Sequence, residues 1–446
     1  MLTIRRLAIP GKLLGLLYIA LIGSALVATA SAAPGSGSFT EEAARGMGVA
    51  AAAMLAAQFI TSGRFHTLSA GVGLDVVLGF HRFAAMMLLC FACLHVLAFA
   101  APSLAQGPAR AGAHLAALAT SPRMLTGVLA FAGIVAITIA SIKRDAWMKY
   151  EAWRFTHGFG ALAVLALAAH HVISTGTASF APSLWFYWIG IFALAGLAFA
   201  HIYIGRPLIA RRASWRVEEI KALTPRLMEV SIRQTGGAPT NFRAGQFVWI
   251  NFKPGLAQPF DNPFSIASAP EELPRMRFLI KAVGDLTRSL PSLPPGSPVS
   301  IDGPHGNLVA DDRPGGALLL VAGGVGLAPL IGILRSLALR GDKRQVRCVY
   351  AAGEPRNIVY ADEMRALETQ LNLVNYFTVD ERAPGWTGRV GAIDATLIAQ
   401  ALANLELQNT LALICGPTPM MTAVADLIAD AGVPLDNIVY EKFAYD

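Results

Sequence analysis

Five histidines carry the first chemical signal in this chain. His81 and His95 lie fourteen residues apart. His157 and His171 repeat that spacing, and His170 stands beside the last. All five sit in strongly apolar stretches, where an ionisable side chain is costly and defaults to a functional role. Along an α-helix, fourteen residues rise about 21 Å and return to within about 40° of the same face. Two helices running in the same direction would set His81 opposite His157 and His95 opposite His171. Imidazole is a standard axial ligand of haem iron, so the spacing points to two stacked bis-histidine haem sites. A thirteen-residue spacing with a local irregularity would select His170 instead of His171. His66, His114 and His201 have no partner at this spacing and are read as ordinary hydrogen-bonding residues. Cys90 and Cys93, one turn apart in an apolar helix, are read as small packing residues. With Cys348 and Cys415 they are too few and too scattered for a disulfide framework.

The elements that must hold these histidines are long apolar helices. A bilayer core of about 30 Å needs about 20 apolar residues. Six stretches qualify or nearly so: 13–33, 46–63, 79–101, 124–142, 155–173 and 184–204. The sixth opens on Leu184-Trp185-Phe186-Tyr187-Trp188, an interfacial aromatic cluster. The first follows Arg5, Arg6 and Lys12 and ends at Ser31-Ala32-Ala33. It reads as a retained helix, with a cleaved signal segment as the alternative.

Charge divides the 446 residues in two. Residues 1–210 hold 13 Lys/Arg and 5 Asp/Glu, whereas residues 211–446 hold 23 and 24. The overall +7 therefore belongs to the apolar half. A single soluble domain and a disordered chain are excluded. A basic nucleic-acid binder is disfavoured, because the second half has no positive field. One set of helix flanks holds thirteen basic residues, Arg64, Arg82, Lys143, Arg144, Lys149, Arg154 and Arg206 among them. The opposite set holds Arg45, Arg110 and Arg123. This bias predicts an integral protein of a bacterial-type inner membrane with its C-terminal half in the cytoplasm.

The second half begins with short alternating strands such as Phe247-Val248-Trp249-Ile250-Asn251-Phe252, separated by Pro/Gly turns. They predict a small antiparallel barrel. Asn262-Pro263-Phe264-Ser265 follows, then Lys281 and Gly284-Asp285-Leu286-Thr287. A glycine lets backbone approach a pyrophosphate, and Thr287 could cap a helix whose amides face it. Further on, Leu318-Leu319-Leu320-Val321 reads as a buried strand. It leads through Ala322-Gly323-Gly324-Val325-Gly326 into an apolar helix. Strand, glycine turn and helix N-terminus make a dinucleotide cradle, though not with the GxGxxG spacing. Leu411-Ala412-Leu413-Ile414 is a second buried strand, ending in Cys415-Gly416-Pro417.

In order, Pro-Phe-Ser-Ile, Gly-x-x-Thr, Asp302-Gly303-Pro304-His305-Gly306, the glycine turn and Cys-Gly-Pro resemble a ferredoxin-reductase type FAD and nicotinamide module. The resemblance implies that Asn262, Pro263, Phe264 and Ser265 flank the isoalloxazine, with Ser265 near flavin N5. It implies that Lys281, Gly284, Leu286 and Thr287 hold the FAD pyrophosphate. Gly323, Gly324, Val325 and Gly326 would cradle NAD(P)H, and Cys415, Gly416 and Pro417 would lie beside the nicotinamide. Phe443, with Tyr445 as second choice, would cover the flavin. Asn262 stands where the family has Arg or His, which shifts phosphate neutralisation towards Lys281. Glu354 would repel a 2′-phosphate and Arg356 would attract one, which leaves NADH against NADPH open.

With its membrane half, the whole chain resembles the ferric reductase and NADPH oxidase superfamily. The implied domains are a haem-bearing membrane domain at 1–210, an FAD barrel at 211–312 and an α/β nucleotide domain at 313–446. The implied activity passes electrons from cytoplasmic NAD(P)H through FAD and two b-type haems to an extracytoplasmic acceptor. Ferric iron is favoured over oxygen, which would give superoxide, and over a periplasmic redox protein. The rival expectation is a haem-free anchored flavoenzyme serving a cytoplasmic partner.

Overall fold

The computed structural model describes residues 11–32, 37–62, 65, 73–175, 182–210, 214–237, 240–252, 262–311 and 316–440. Phe443 and Tyr445 lie outside them. The chain forms two compact units, Met1–Arg206 and Pro207–Asp446.

The first unit contains α1 (Gly11–Ala32), α2 (Phe39–Ile60), α3 (Leu74–Leu104), α4 (Pro108–Thr120), α5 (Leu125–Ile142), α6 (Tyr150–Ser174) and α7 (Pro182–Ala200). All but α4 include a segment long and apolar enough to cross a membrane. Large apolar side chains such as Leu16, Phe83, Phe186 and Leu197 point outward, as a helix bundle solvated by lipid requires. Part of the core of the unit uses small residues, packed beside large ones such as Trp188, Phe192 and Phe199. Val49–Phe59 of α2 is buried throughout, mostly as alanine, which lets helices approach closely. Helix α2 starts well before its apolar run. Ser38 and Glu41 form a capping box, Ser38 N–H to Glu41 Oε2 at 2.9 Å and Glu41 N–H to Ser38 Oγ at 3.4 Å. Helix α4 falls in what reads from sequence as a loop. Helix α7 continues into a π-helical turn, His201–Gly205.

The second unit opens with an antiparallel sheet. Its strands are β1 (Trp215–Ala222), β2 (Leu227–Gln234), β3 (Phe247–Asn251), β4 (Asn262–Ser265), β5 (Arg275–Lys281) and β6 (Pro298–His305), in the order β4-β3-β6-β1-β2-β5. The expected barrel does not close. Its two edges, β4 and β5, meet only near the bridge Ile266↔Phe278. Strand β4 is four residues long and contains Pro263, which has no N–H to give a ladder. The seam therefore stays open beside Pro263, Phe264 and Ser265.

A parallel sheet follows, from β7 (Ala317–Gly323), β8 (Gln345–Ala352), β9 (Asn372–Val379), β10 (Arg389–Val390), β11 (Thr410–Cys415) and β12 (Ile438–Tyr440), in the order β10-β9-β8-β7-β11-β12. Every residue of β7 and β11 is buried, so both faces of these strands are covered. Leu318 and Leu320 pack under the helix after β7 (Leu327–Leu339), and Leu319 and Val321 pack on the opposite side with Leu397 and Met421. From β7 the chain runs outward through β8, β9 and β10, then returns to β11 on the other side. That reversal is a topological switch point, where open α/β sheets bind ligands at their C-terminal strand ends.

The two sheets share one core, and a buried arginine joins them. Arg335, on the helix after β7, is 5% exposed. It donates to the Ala267 carbonyl at 2.6 Å and to both Glu363 oxygens at 2.6 and 2.7 Å, and its guanidinium lies 5.0 Å from the Tyr360 ring. Tyr360 donates to Glu229 of β2 at 2.6 Å; burial and Glu229 push its phenol upward, so it keeps that proton. Gly332, one turn before Arg335, lies flat on the 266–268 backbone; an added Cβ would come within 2.9 Å of the Ile266 carbonyl. Replacing Arg335 by Met leaves Glu363 without its guanidinium partner and the Ala267 carbonyl without its donor, while Glu229 keeps Arg277 at 3.8 Å. The expected loss is about 3 kcal/mol, tempered by the partial exposure of Glu363. Pulse proteolysis of the C-terminal unit in urea reads this directly. An unchanged midpoint would show that the latch contributes nothing.

Candidate functional site

A cleft of about 720 Å³ opens where the antiparallel sheet meets the switch point. Pro263, Phe264, Ser265, Ile280 and Lys281 line one wall. Gly323, Gly324, Val325 and Gly326 line the other, with Cys415, Gly416 and Pro417. The two motif groups, separated by about 40 to 150 residues in the chain, therefore face a single space. Backbone proximity explains the glycines. A Cβ on Gly326 would collide with the Cys415 carbonyl, and one on Gly323 would meet Met420 Sδ at 2.5 Å and Pro417 Cδ at 2.9 Å. Gly324 has φ +54°, a left-handed conformation that favours glycine. Glu354 and Arg356 stand in the same cleft just after β8, paired at 2.7 Å (Arg356 Nε to Glu354 Oε2). Cys348 stays a packing residue, because burial pushes its thiol up to about 12.

Asn262 is not a lining residue of the cleft. A second recess of about 420 Å³ brings Arg226, Lys281 and Arg288 together. Arg226 and Arg288 escape notice in the sequence because nothing marks isolated arginines as partners. The register Leu227↔Lys281 between β2 and β5 is what puts Arg226 beside Lys281. Thr287 does not cap the following helix from outside. It lies within the turn Asp285–Ser289, and its Oγ1 accepts the N–H groups of Val283 at 2.9 Å and Gly284 at 3.0 Å. Leu286 is partly buried against the antiparallel core.

The histidines lie in the other unit, on α3 and α6. His81 and His157 face each other with ring centres 6.4 Å apart and planes at 64°. His95 Nδ1 is 2.7 Å from the Ala44 carbonyl, His171 Nδ1 is 2.9 Å from Thr175 Oγ1, and His157 Nδ1 is 3.2 Å from Ser141 Oγ. His81 Nδ1 is buried without a hydrogen-bond partner among the described residues. Glycines on neighbouring helices make room for the rings. An added Cβ would lie 2.6 Å from His95 at Gly48 and 2.6 Å from His171 at Gly127. His170 points outward and bonds Thr126 Oγ1 at 3.1 Å. His114 bonds Ser103 at 2.6 Å, and His201 stacks on Phe65 at 5.9 Å.

Comparisons with known proteins fit both units. Residues 320–426 match the oxidoreductase NAD-binding domain family. Residues 47–168 match the family described as ferric reductase like transmembrane component. The chain is 29% identical over 243 residues to "Ferredoxin--NADP reductase B" of Sorangium cellulosum, covering 51% of this chain and 96% of that protein. It is 31% identical over 172 residues to "NADH-cytochrome b5 reductase 1" of Laccaria bicolor, covering 37% of this chain and 55% of that protein. The solved structure titled "Ferredoxin reductase in carbazole 1,9a-dioxygenase" is 28% identical, with 51% of this chain and 68% of that chain covered and a TM-score of 0.45. The chain is therefore an NAD(P)H oxidoreductase with a membrane-embedded domain. More particularly, it matches a ferric reductase-like transmembrane component fused to a ferredoxin-reductase-type module.

Gly326→Ala tests the cradle. Its Cβ would have to displace the Cys415–Gly416 backbone, since a carbonyl cannot swing aside as a flexible side chain can. Nicotinamide nucleotide affinity is expected to fall about 10-fold or more, roughly 1.4 kcal/mol, in calorimetric titration. An unchanged Kd would place the nucleotide elsewhere.

Proposed function

We propose that this protein carries electrons across a membrane, from cytoplasmic NAD(P)H through FAD and two b-type haems to an extracytoplasmic acceptor, with ferric iron favoured. The carrying observation is the arrangement of imidazoles. An imidazole–metal bond is about 2.0 Å, so two rings on one iron need centres roughly 6 Å apart, which the 6.4 Å of His81 and His157 fits. At His95 the bond to a carbonyl, which only accepts, requires the proton on Nδ1. Thr175 gives its hydroxyl proton to the His171 carbonyl, leaving its oxygen to accept from His171 Nδ1. In both rings Nε2 keeps a bare lone pair, the form that binds metal. His171 is proposed over His170, whose ring faces outward.

In the cleft, Ser265 and Phe264 would flank the flavin ring, and Arg226, Lys281 and Arg288 would neutralise its phosphates where Asn262 cannot. The glycine turn and Cys415-Gly416-Pro417 would position the nicotinamide, and Phe443 would cover the flavin face. Bound flavin supplies conversion of a hydride into single electrons, and bound haem relays them. The excess of basic residues on one set of helix flanks supports a cytoplasmic C-terminal half. NADH is proposed as the donor, because Glu354 occupies the Arg356 fork that a 2′-phosphate would need.

Two tests follow from this reading. The reduced-minus-oxidised spectrum of the purified protein should show two b-type haems per chain. His95→Ala should lose one of them and ferric chelate reduction, yet keep ferricyanide reduction from NADH. Ferric turnover that survives would remove the two-haem relay. Glu354→Gln should raise kcat/KM for NADPH several-fold and change that for NADH little. Equal changes for both nucleotides would refute the specificity assignment.

A further inference from the structure

His157 belongs to a fixed cluster that His81 lacks. Ser141 of α5 donates its hydroxyl proton to the Ile137 carbonyl at 2.8 Å. The oxygen then has two lone pairs to offer. Trp153 Nε1, which can only donate, takes one at 3.4 Å. His157 Nδ1 lies 3.2 Å from the same oxygen. With the serine proton spent, that nitrogen must be the donor, so His157 carries its proton on Nδ1 and presents a bare Nε2. The Trp153 ring also lies against the His157 ring, centres 5.1 Å apart and planes at 32°. Arg144 covers the Trp153 ring, its guanidinium 5.2 Å from the ring centre. Hydroxyl and indole therefore restrict this imidazole in two independent ways, one setting its tautomer and the other its plane. His81 has no such hydroxyl and indole pair: its ring faces the Gln58 backbone of α2, and its Nδ1 makes no hydrogen bond of ordinary geometry among the described residues.

We propose that Ser141 and Trp153 are positioning residues that fix the tautomer and ring plane of His157, making it the oriented ligand of an asymmetric inner haem pair. This rests on the haem reading above. A hydrogen bond on Nδ1 raises the basicity of the ligating nitrogen, and loss of such a partner typically weakens metal binding 10- to 100-fold. A more basic ligand favours ferric over ferrous iron, so losing the bond should move the inner haem potential upward. Losing the stacked ring should instead change the angle between the two imidazoles.

The test uses the full chain, purified in detergent, with haem content, low-spin ferric EPR and a redox titration as readouts. Ser141→Ala should raise the potential of one haem, leave the other unchanged and loosen haem retention about 10-fold or more. Ser141→Thr, which restores a hydroxyl, should return the potential towards wild type. Trp153→Phe keeps a ring without the N–H and should leave the EPR anisotropy near wild type. Trp153→Ala should shift it for one haem. Two haems in the wild type with unshifted potentials and EPR in Ser141→Ala and Trp153→Ala would overturn this proposal alone. A wild type without haem would overturn the functional reading and this proposal with it. If Ser141→Ala does not accumulate, Ser141→Thr and Trp153→Phe still decide. A Thr variant with a raised potential, or a Phe variant with altered anisotropy, contradicts the roles assigned.

Discussion

Polar atoms inside a lipid-facing helix bundle must find partners within the protein. That constraint governs the membrane unit. An imidazole has two ring nitrogens, and helix α3 or α6 cannot satisfy either through its own backbone ladder. The structure meets the demand at Nδ1 by local means: a backbone carbonyl of α2 for His95, a serine of α5 for His157 and the next-turn threonine for His171. Each solution leaves Nε2 pointing away from its partner. Space is made by shortening the neighbours to glycine, at Gly48 and Gly127. The same residues that lower the cost of burying an imidazole thus leave its other nitrogen with a bare lone pair.

The second unit solves a different problem. Its two sheets must present their motifs to one volume, although neither sheet contains the whole cleft. Gly332 lets a helix lie directly on the strand end that follows Ser265, and Arg335 bonds the carbonyl of Ala267 there. That helix begins at the glycine turn of β7, so one rigid element carries one wall of the cleft and grips the strand end beside the other wall. The seam between β4 and β5, left open at Pro263, serves the same cleft. A full ladder there would compete with the space beside Pro263, Phe264 and Ser265.

Much of this was legible in the residues. Six apolar stretches and the fourteen-residue spacing of the histidines anticipated the spans and the His81–His157 juxtaposition, because helical period converts sequence directly into faces. Buried β7 and β11 were readable as continuous apolar runs, and the glycines that follow them line the cleft. What escaped is what depends on pairing across the chain. Arg226 meets Lys281 only through strand register, and Ser141 meets His157 only through the packing of α5 on α6. Helix α4 was missed because 102–122 lacks a spanning run. The closed barrel was over-read, because alternation reports strands but not whether the last pair of edges will meet.

The proposed relay requires electrons to leave the nucleotide cleft and reach the histidine sites within one chain. Anaerobic mixing of the purified protein with NADH, followed at flavin and haem wavelengths together, tests it most directly. Flavin absorbance should fall first and reduced b-type haem bands should then rise, in haem-containing protein alone and without an added mediator. Flavin that bleaches while fully loaded haem stays oxidised would contradict the relay.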